Sequence, residues 1–354
     1  MTQSRKNQVD LESTPFYHCY VRCVRRAYLC GEDHVTGENY DHRKQWLVSR
    51  LRFLSYIYAV DICAYAIMSN HYHVVVHVDK ARAESWSNEE VAERWMQLYK
   101  GHILVDRWLE NPASVDSATL EKVEEIIAMW RERLYGIDWF MRGVNETIAR
   151  MANAEEKITG RFWEGRYKSQ ALLDEAAVLT CMAYVDLNPV RADMTDDIAT
   201  SDFTSIQQRL FDYAKYKPVK SETEKVVATR VKSQKALKEE LDLGELPEAA
   251  LMRFDGSRHT DIHTALPFTR EDYFDLVDAT GRVLREDKRG AISGKIPPIL
   301  ARVGIQSHKW IDQVQNFSRY YGCCAGSADK IVDFSKHFDR RWGKGVGQSK
   351  RAYG

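Results

Sequence analysis

The sequence predicts an α+β protein, with an antiparallel sheet that has helices on one side and a mainly helical C-terminal domain. Short runs of aromatic and β-branched residues alternate with amphipathic segments through the first two hundred or so residues. Two of these runs are separated by a tight turn, which is typical of a β-hairpin. The last part of the chain shows helical patterns alone.

The first elements follow the order β-α-β-β. Residues 16–24 are rich in aromatic and β-branched side chains and predict a strand. Residues 40–58 place leucines at helical spacing and predict an amphipathic helix. Residues 60–68 and 71–78 predict two strands joined by a Ser-Asn turn.

The next elements continue as helix, strand and helix. Residues 87–100 and 134–155 predict helices, and residues 101–133 between them are interpreted as a partly helical insertion. Residues 161–173 predict a strand or an extended segment. A helix over 174–187 follows, because an aspartate caps its start and an Asn-Pro pair ends it.

The chain is expected to divide where its composition changes. Residues 214–244 are highly charged, which is typical of a linker or a solvated helix. We therefore predict a first domain over 1–213, a charged linker over 214–244 and a helical extension over 245–354.

Composition excludes several classes of protein. The 51 basic and 51 acidic residues balance, so any basic surface must be local. No apolar run is long enough to span a bilayer, and the polar N-terminus does not resemble a secretory signal. The 7 cysteines are odd in number and lack paired zinc spacing, as expected of reduced thiols. We therefore expect a cytoplasmic protein without a membrane partner.

Two histidines one residue apart mark the third predicted strand. Side chains at positions i and i+2 of a strand point to the same face, so His71 and His73 are expected to lie side by side. Two imidazoles on one face can share a divalent metal. The alternative is an ordinary strand with two half-exposed histidines. His77 continues the same parity and is expected to be structural.

The predicted helix over 174–187 carries a second candidate pair. Tyr184 and Asn188 are four residues apart and share one helical face if the helix persists to its last turn. The alternative is a tyrosine packed on the core, with the asparagine capping the helix before proline.

Basic and aromatic residues are interleaved just before that helix. Cations suit phosphates and aromatic rings suit unstacked bases, so this segment is a candidate for nucleic-acid binding. The alternative is an amphipathic strand whose cations cover apolar surface. The candidate DNA-binding residues are Arg161, Trp163, Arg166 and Lys168.

The segments MSNHYHVVV, GRFWEGRYKSQ and YVDLNPVRA, in this order, resemble the HUH-type single-tyrosine transposases, an insertion-sequence family that includes the REP-associated tyrosine transposases. The resemblance covers about residues 14–205 and implies a ferredoxin-like antiparallel sheet. It also implies that His71 and His73 bind the metal, that Tyr184 is the nucleophile and that Asn188 completes the metal shell. The insertion over 101–133 and the C-terminal third depart from compact members.

The implied activity is metal-dependent cleavage and transfer of single-stranded DNA, near a hairpin, through a 5′-phosphotyrosine. A phenol whose pKa is about 10 in water is a poor nucleophile at neutral pH, and a divalent cation can favour its ionised form. Neutral imidazoles and a carboxamide suit Mg²⁺ or Mn²⁺, although zinc also matches the ligand types. The active site can form within one chain or across a homodimer.

Two alternative functions remain open at this stage. One is a host-retained DNA-binding or regulatory protein of the same family that no longer transposes. The other is an unrelated metallohydrolase that uses His71 and His73 without Tyr184.

Overall fold

The computed structural model describes residues 8–24, 29–32, 37–214, 222–241, 243, 245–256, 264–284 and 298–353. Over these residues the protein is α+β, as predicted, with a five-stranded mixed sheet and fifteen α-helices. The strands are β1 (Phe16–Arg22), β2 (Val60–Ile67), β3 (His71–Val78), β4 (Lys168–Leu172) and β5 (Cys324–Ala325). The first four agree with the predicted strands to within a few residues, except that β4 occupies only the end of the segment 161–173.

The helices account for most of the remaining described chain. The predicted helices over 40–58, 87–100, 134–155 and 174–187 correspond to the first, third, sixth and seventh of them. In chain order they are α1 (His42–Ile57), α2 (Lys80–Ser85), α3 (Asn88–Met96), α4 (Ile103–Glu110), α5 (Ser117–Leu134), α6 (Ile137–Glu155), α7 (Glu175–Asp186), α8 (Asn188–Arg191), α9 (Ser205–Ala214), α10 (Glu222–Glu240), α11 (Arg270–Leu284), α12 (Pro298–Arg302), α13 (Ser307–Tyr320), α14 (Ala328–His337) and α15 (Val346–Tyr353).

The sheet has the order β2-β3-β1-β4-β5. β3 lies between β2 and β1 and is antiparallel to both, and β4 is antiparallel to β1. The fifth strand runs parallel to β4, so the sheet is mixed rather than purely antiparallel. In register, Tyr20 lies opposite His73 and Arg22 lies opposite His71, which places β1 side chains beside both histidines.

The prediction that the helices lie on one side of the sheet is wrong. Consecutive residues of a strand point to opposite faces. On β3, Tyr72 donates a hydrogen bond to Asn145 of α6 at 2.7 Å, whereas the His73 ring lies 5.7 Å from the ring of Tyr184 on α7. The two helices therefore cover opposite faces. Nearly every residue of α7 is buried, so this helix needs partners all round rather than on one side.

The C-terminal part of the chain supplies those partners. α13 packs along α7, and β5 extends the sheet through backbone hydrogen bonds between residues 171–173 and 323–325. Tyr273 of α11 donates a hydrogen bond to the buried carboxylate of Asp186 at 2.6 Å. The division into domains at 214–244 stays a prediction. Within that charged segment, α10 is helical and residues 215–221, 242 and 244 lie outside the described residues.

The segment interpreted as an insertion packs on α3 and α6. Its helices α4 and α5 bury Val105, Val123 and Ile127. The ring of Trp130 stacks on that of Trp95 with centroids 5.5 Å apart. The insertion thus has an aromatic core of its own beside the sheet. No helix in the part of the chain that the structure describes combines the length and the apolar character that crossing a bilayer requires.

Candidate active site

The two histidines of the H-x-H pair lie on the face of the sheet that α7 covers. Their ring centroids are 5.0 Å apart and the ring planes are nearly perpendicular. His73 is buried and His71 is partly exposed, so the description of both as half-exposed does not hold for His73. Neither Nε2 atom has a hydrogen-bond partner among the described residues. His77 is structural, because it is fully buried and pairs with Asp61.

A hydrogen-bonded chain decides which nitrogen of His73 carries the proton. The side-chain amide of Gln170 donates from Nε2 to the carbonyl of Gly322 at 2.8 Å, which leaves Oε1 facing Nδ1 of His18 at 3.3 Å. A carbonyl oxygen only accepts, so His18 carries its proton on Nδ1. Nε2 of His18 must then accept from Nδ1 of His73, 2.8 Å away. The chain therefore leaves the lone pair of His73 on Nε2.

His71 is held in the same tautomer as His73. Its Nδ1 lies 2.6 Å from Oδ1 of Asn70, so Nδ1 donates and Nε2 keeps the lone pair. Burial, with a smaller contribution from the charge of Arg22, lowers the pKa of His71 to about 4. Burial, with the charges of neighbouring groups, lowers the pKa of His73 well below its usual range. Both imidazoles are thus neutral at physiological pH, which is the form that binds a metal.

Tyr184 projects from α7 onto the histidines. Its ring meets the His73 ring edge-on at 5.7 Å and the His18 ring at 6.0 Å. Phe317 of α13 lies 5.5 Å away on another side, and the guanidinium carbon of Arg191 lies 4.5 Å from the ring centroid. Tyr184 is only 6% exposed, yet it lines a cavity. The ring is therefore fixed by packing while remaining accessible from one side.

That cavity, here called the histidine cavity, has a volume of about 500 Å³ and brings the predicted residues together with several others. His71, His73 and Tyr184 line it, and so do three cations. None of the three has an ion-pair partner among the described residues. One carboxylate, that of Glu164, also lines the cavity, so the charged side chains of the described lining are positive on balance, which favours an anion. The cations are Arg22, Arg166 and Lys168.

Asn188 lies beyond the end of α7 rather than in its last turn. It begins α8, is 8% exposed, and is not among the described residues that line the histidine cavity. Its Nδ2 atom is buried without a described partner. No cluster of three or more His, Cys, Asp or Glu side chains suited to a metal occurs in the described ranges. The structure therefore brings two of the three predicted ligands together and leaves Asn188 as a prediction.

The segment that precedes α7 divides into two groups. Arg166 and Lys168 are exposed and line the histidine cavity, whereas Arg161 is exposed but does not line it. Trp163 is 8% exposed, and its Nε1 donates to the carbonyl of Asn145 at 2.8 Å. This contact lies on the α6 face of the sheet, away from the histidines. The structure therefore corrects the stacking role for Trp163 in favour of a core role.

Further residues of the site lie outside the set predicted from the sequence. His18 and Tyr20 lie on β1 beside His73, and the ring of Tyr20 stacks on that of His73 at 5.4 Å. Arg191 follows the Asn-Pro-Val segment, seven residues after Tyr184. Alternation along residues 16–22 places His18, Tyr20 and Arg22 on one face. This alternation identifies the three residues as members of the site only when β1 and β3 are known to be neighbours.

Comparisons with known proteins give one distant similarity. A scan against known protein families and a search of curated proteins find no match. Among solved structures, the chain is similar to a REP-associated tyrosine transposase bound to a REP hairpin, with 11% sequence identity and a TM-score of 0.35. The alignment covers 63% of this chain and 93% of that chain.

Proposed function

We propose that this protein cleaves and rejoins single-stranded DNA, with Tyr184 as the nucleophile and with His71 and His73 holding a divalent metal. The observation that carries the proposal is the contact between the Tyr184 ring and His73 in a cavity lined by unpaired cations. We also infer that β1 to β4 form a ferredoxin-like core, which their order and antiparallel pairing support.

The cations support a phosphodiester as the ligand. Arg22 enters from β1, Arg166 from the segment before β4, and Lys168 from the first position of β4. A scissile phosphate gains negative charge at its oxygens as it is attacked, and fixed cations stabilise that charge without reorganising at the moment of reaction. Arg191, over the face of the Tyr184 ring, adds a positive charge beside the attacking group. We infer that these four side chains position the phosphate and neutralise its charge.

The two histidines fit a divalent cation. Both are neutral, and in both Nε2 is free among the described residues while Nδ1 makes a hydrogen bond. Metal-bound histidines usually have such a hydrogen bond on the nitrogen that does not bind the metal. A bound Mg²⁺ or Mn²⁺ would polarise the phosphate and favour the ionised phenol. Since the protein supplies neutral ligands here, phosphate oxygens and water would complete the coordination shell. The place of Asn188 in that shell is part of the same proposal.

The chemical step conserves the phosphodiester. The Tyr184 oxygen forms a bond to phosphorus as the bond from phosphorus to the 3′ oxygen breaks. The phenol proton passes to solvent, and the departing 3′ oxygen takes up a proton, which gives a 5′-phosphotyrosine and a free 3′-OH. A 3′-OH reverses the attack and rejoins a strand without ATP.

The test is an adduct assay. The protein is incubated with labelled single-stranded hairpins and Mg²⁺ and then separated under denaturing conditions. We expect a labelled band that withstands denaturation in the wild type and is lost in Tyr184→Phe, because only the hydroxyl is removed. His71→Ala and His73→Ala are expected to remove it as well, as is excess EDTA.

Tyr20→Phe is the matched control. Tyr20 also lines the histidine cavity and contacts His73, but burial raises the pKa of its phenol, which opposes ionisation. The adduct should persist in this variant. An adduct that survives Tyr184→Phe and disappears in Tyr20→Phe would assign the nucleophile to β1, and no adduct with any substrate would favour a protein that binds DNA without cleaving it.

A further inference from the structure

One large aromatic side chain is unusually exposed near the C-terminus. Trp342 is 75% exposed, the most exposed large hydrophobic residue in the described ranges. Its neighbour Arg341 is also exposed, and Lys344 follows two residues later. An exposed aromatic ring between cations is the pattern by which proteins bind single strands, with the ring stacking on a base and the cations contacting phosphates.

Lys344 connects this segment to a second cavity, here called the adjoining cavity, with a volume of about 530 Å³. The adjoining cavity shares Tyr20, Arg166 and Lys168 with the histidine cavity, so the two lie side by side. Its other wall comes from the C-terminal part, through Tyr321 and Lys344 among others. Trp342 is two residues from Lys344, which places their Cα atoms within about 7.6 Å of each other.

The charges of the adjoining cavity favour an anion. Three cations line it, none of its described lining residues is an Asp or a Glu, and the acidic thiol of Cys323 offsets at most one of the three positive charges. Arg166, Lys168 and Lys344 have no ion-pair partner among the described residues. A cleft lined mainly by one sign of charge raises the local concentration of ligands of the opposite sign. A phosphodiester chain supplies several negative charges along its length and is an anion that three cations can contact together.

We propose that the adjoining cavity and Trp342 bind the strand that flanks the scissile phosphate, with Trp342 stacked on a base and Lys344 on a phosphate. The proposal rests on the proposed function, because it takes the histidine cavity as the place of cleavage. It gives the C-terminal part a role in holding substrate.

The test measures binding of a long homopolymeric single-stranded DNA by fluorescence, without divalent metal so that the probe stays intact. Trp342→Ala should weaken binding by about 5- to 150-fold, the range for loss of one stacked base, with an unchanged melting temperature. Lys344→Gln should make the slope of log affinity against log salt shallower by about 0.7. Tyr56→Ala and Lys350→Gln are the matched controls, because both side chains are exposed and line neither cavity.

A second readout isolates the contact itself. The chain has 9 tryptophans, so the emission of Trp342 is obtained as the difference between the wild type and Trp342→Phe. Stacking predicts that DNA quenches this difference signal. The proposal is overturned if Trp342→Ala binds like the wild type or if the difference signal ignores DNA. If the wild type binds DNA through Trp342 but forms no tyrosine adduct, the proposed cleavage is contradicted and the DNA-binding surface is supported.

Discussion

His18 is expected to control metal binding without touching the metal. His18→Phe keeps a ring of similar shape but removes the acceptor for Nδ1–H of His73, which lies 2.8 Å away in a buried position. Leaving a buried donor unsatisfied costs about 1–3 kcal/mol. His73 avoids that cost by moving its proton to Nε2, the atom proposed to bind metal. Restoring the binding form then requires the same energy, so affinity should fall by about 10- to 100-fold, the range found for outer-shell partners of metal ligands.

The assay is a titration with Mn²⁺, with free ion measured by electron paramagnetic resonance. Gln170→Leu is the graded companion, because it removes one hydrogen bond from His18 and leaves His73 with its acceptor. It should weaken binding less than His18→Phe does. Nitrogen-15 NMR of the metal-free protein supplies an independent readout. We expect it to show His73 protonated on Nδ1. Protonation on Nε2 in the wild type, or an unchanged Mn²⁺ affinity in His18→Phe, would show that His18 does not control the metal-binding nitrogen of His73.

Three further predictions concern stability and reactivity. Trp163→Ala should lower the free energy of unfolding by about 3–5 kcal/mol in chemical denaturation, as for a core tryptophan, and a loss of DNA affinity without destabilisation would contradict that role. Tyr273→Phe removes a hydrogen-bond donor to Asp186, and burial raises the pKa of that carboxyl to about 6. The free energy of unfolding should therefore fall by an amount that grows to about 1.5–3 kcal/mol as pH rises through this value and the carboxylate ionises. A pH-independent loss of stability in thermal unfolding would argue against this. The pKa of Cys323 lies below its usual range because the thiol of Cys324 donates a hydrogen bond to it. Iodoacetamide should therefore modify Cys323 faster than the buried cysteines at neutral pH, as measured by mass spectrometry. Equal rates of modification would contradict the lowered pKa.

The elements of the sheet could be predicted because their signals are local. Alternation over 16–22 and 71–78 and the short turn before His71 fix strands whatever the rest of the chain does. The same parity placed His71 and His73 on one face. What sequence could not supply was the partner of each strand, and so the side of the sheet on which α7 lies.

The residues that sequence reasoning missed depend on contacts between distant segments. His18 and His73 are 55 positions apart, and only the register of β1 against β3 brings their rings together. The assignment of Trp163 was ambiguous for a similar reason, because an interleaved basic and aromatic segment has the same appearance whether its ring faces α6 or solvent. Trp342 lies in a short segment without periodicity, where exposure is visible only in three dimensions.

The identity of the nucleophile is tested most directly by mapping the covalent adduct. The adduct formed with single-stranded DNA is digested with protease and nuclease, and the peptide that carries a nucleotide is located by tandem mass spectrometry. We expect a nucleotide attached through phosphate to the oxygen of Tyr184. A nucleotide on Tyr20, Tyr72 or Tyr167, or on a residue of another type, would contradict it.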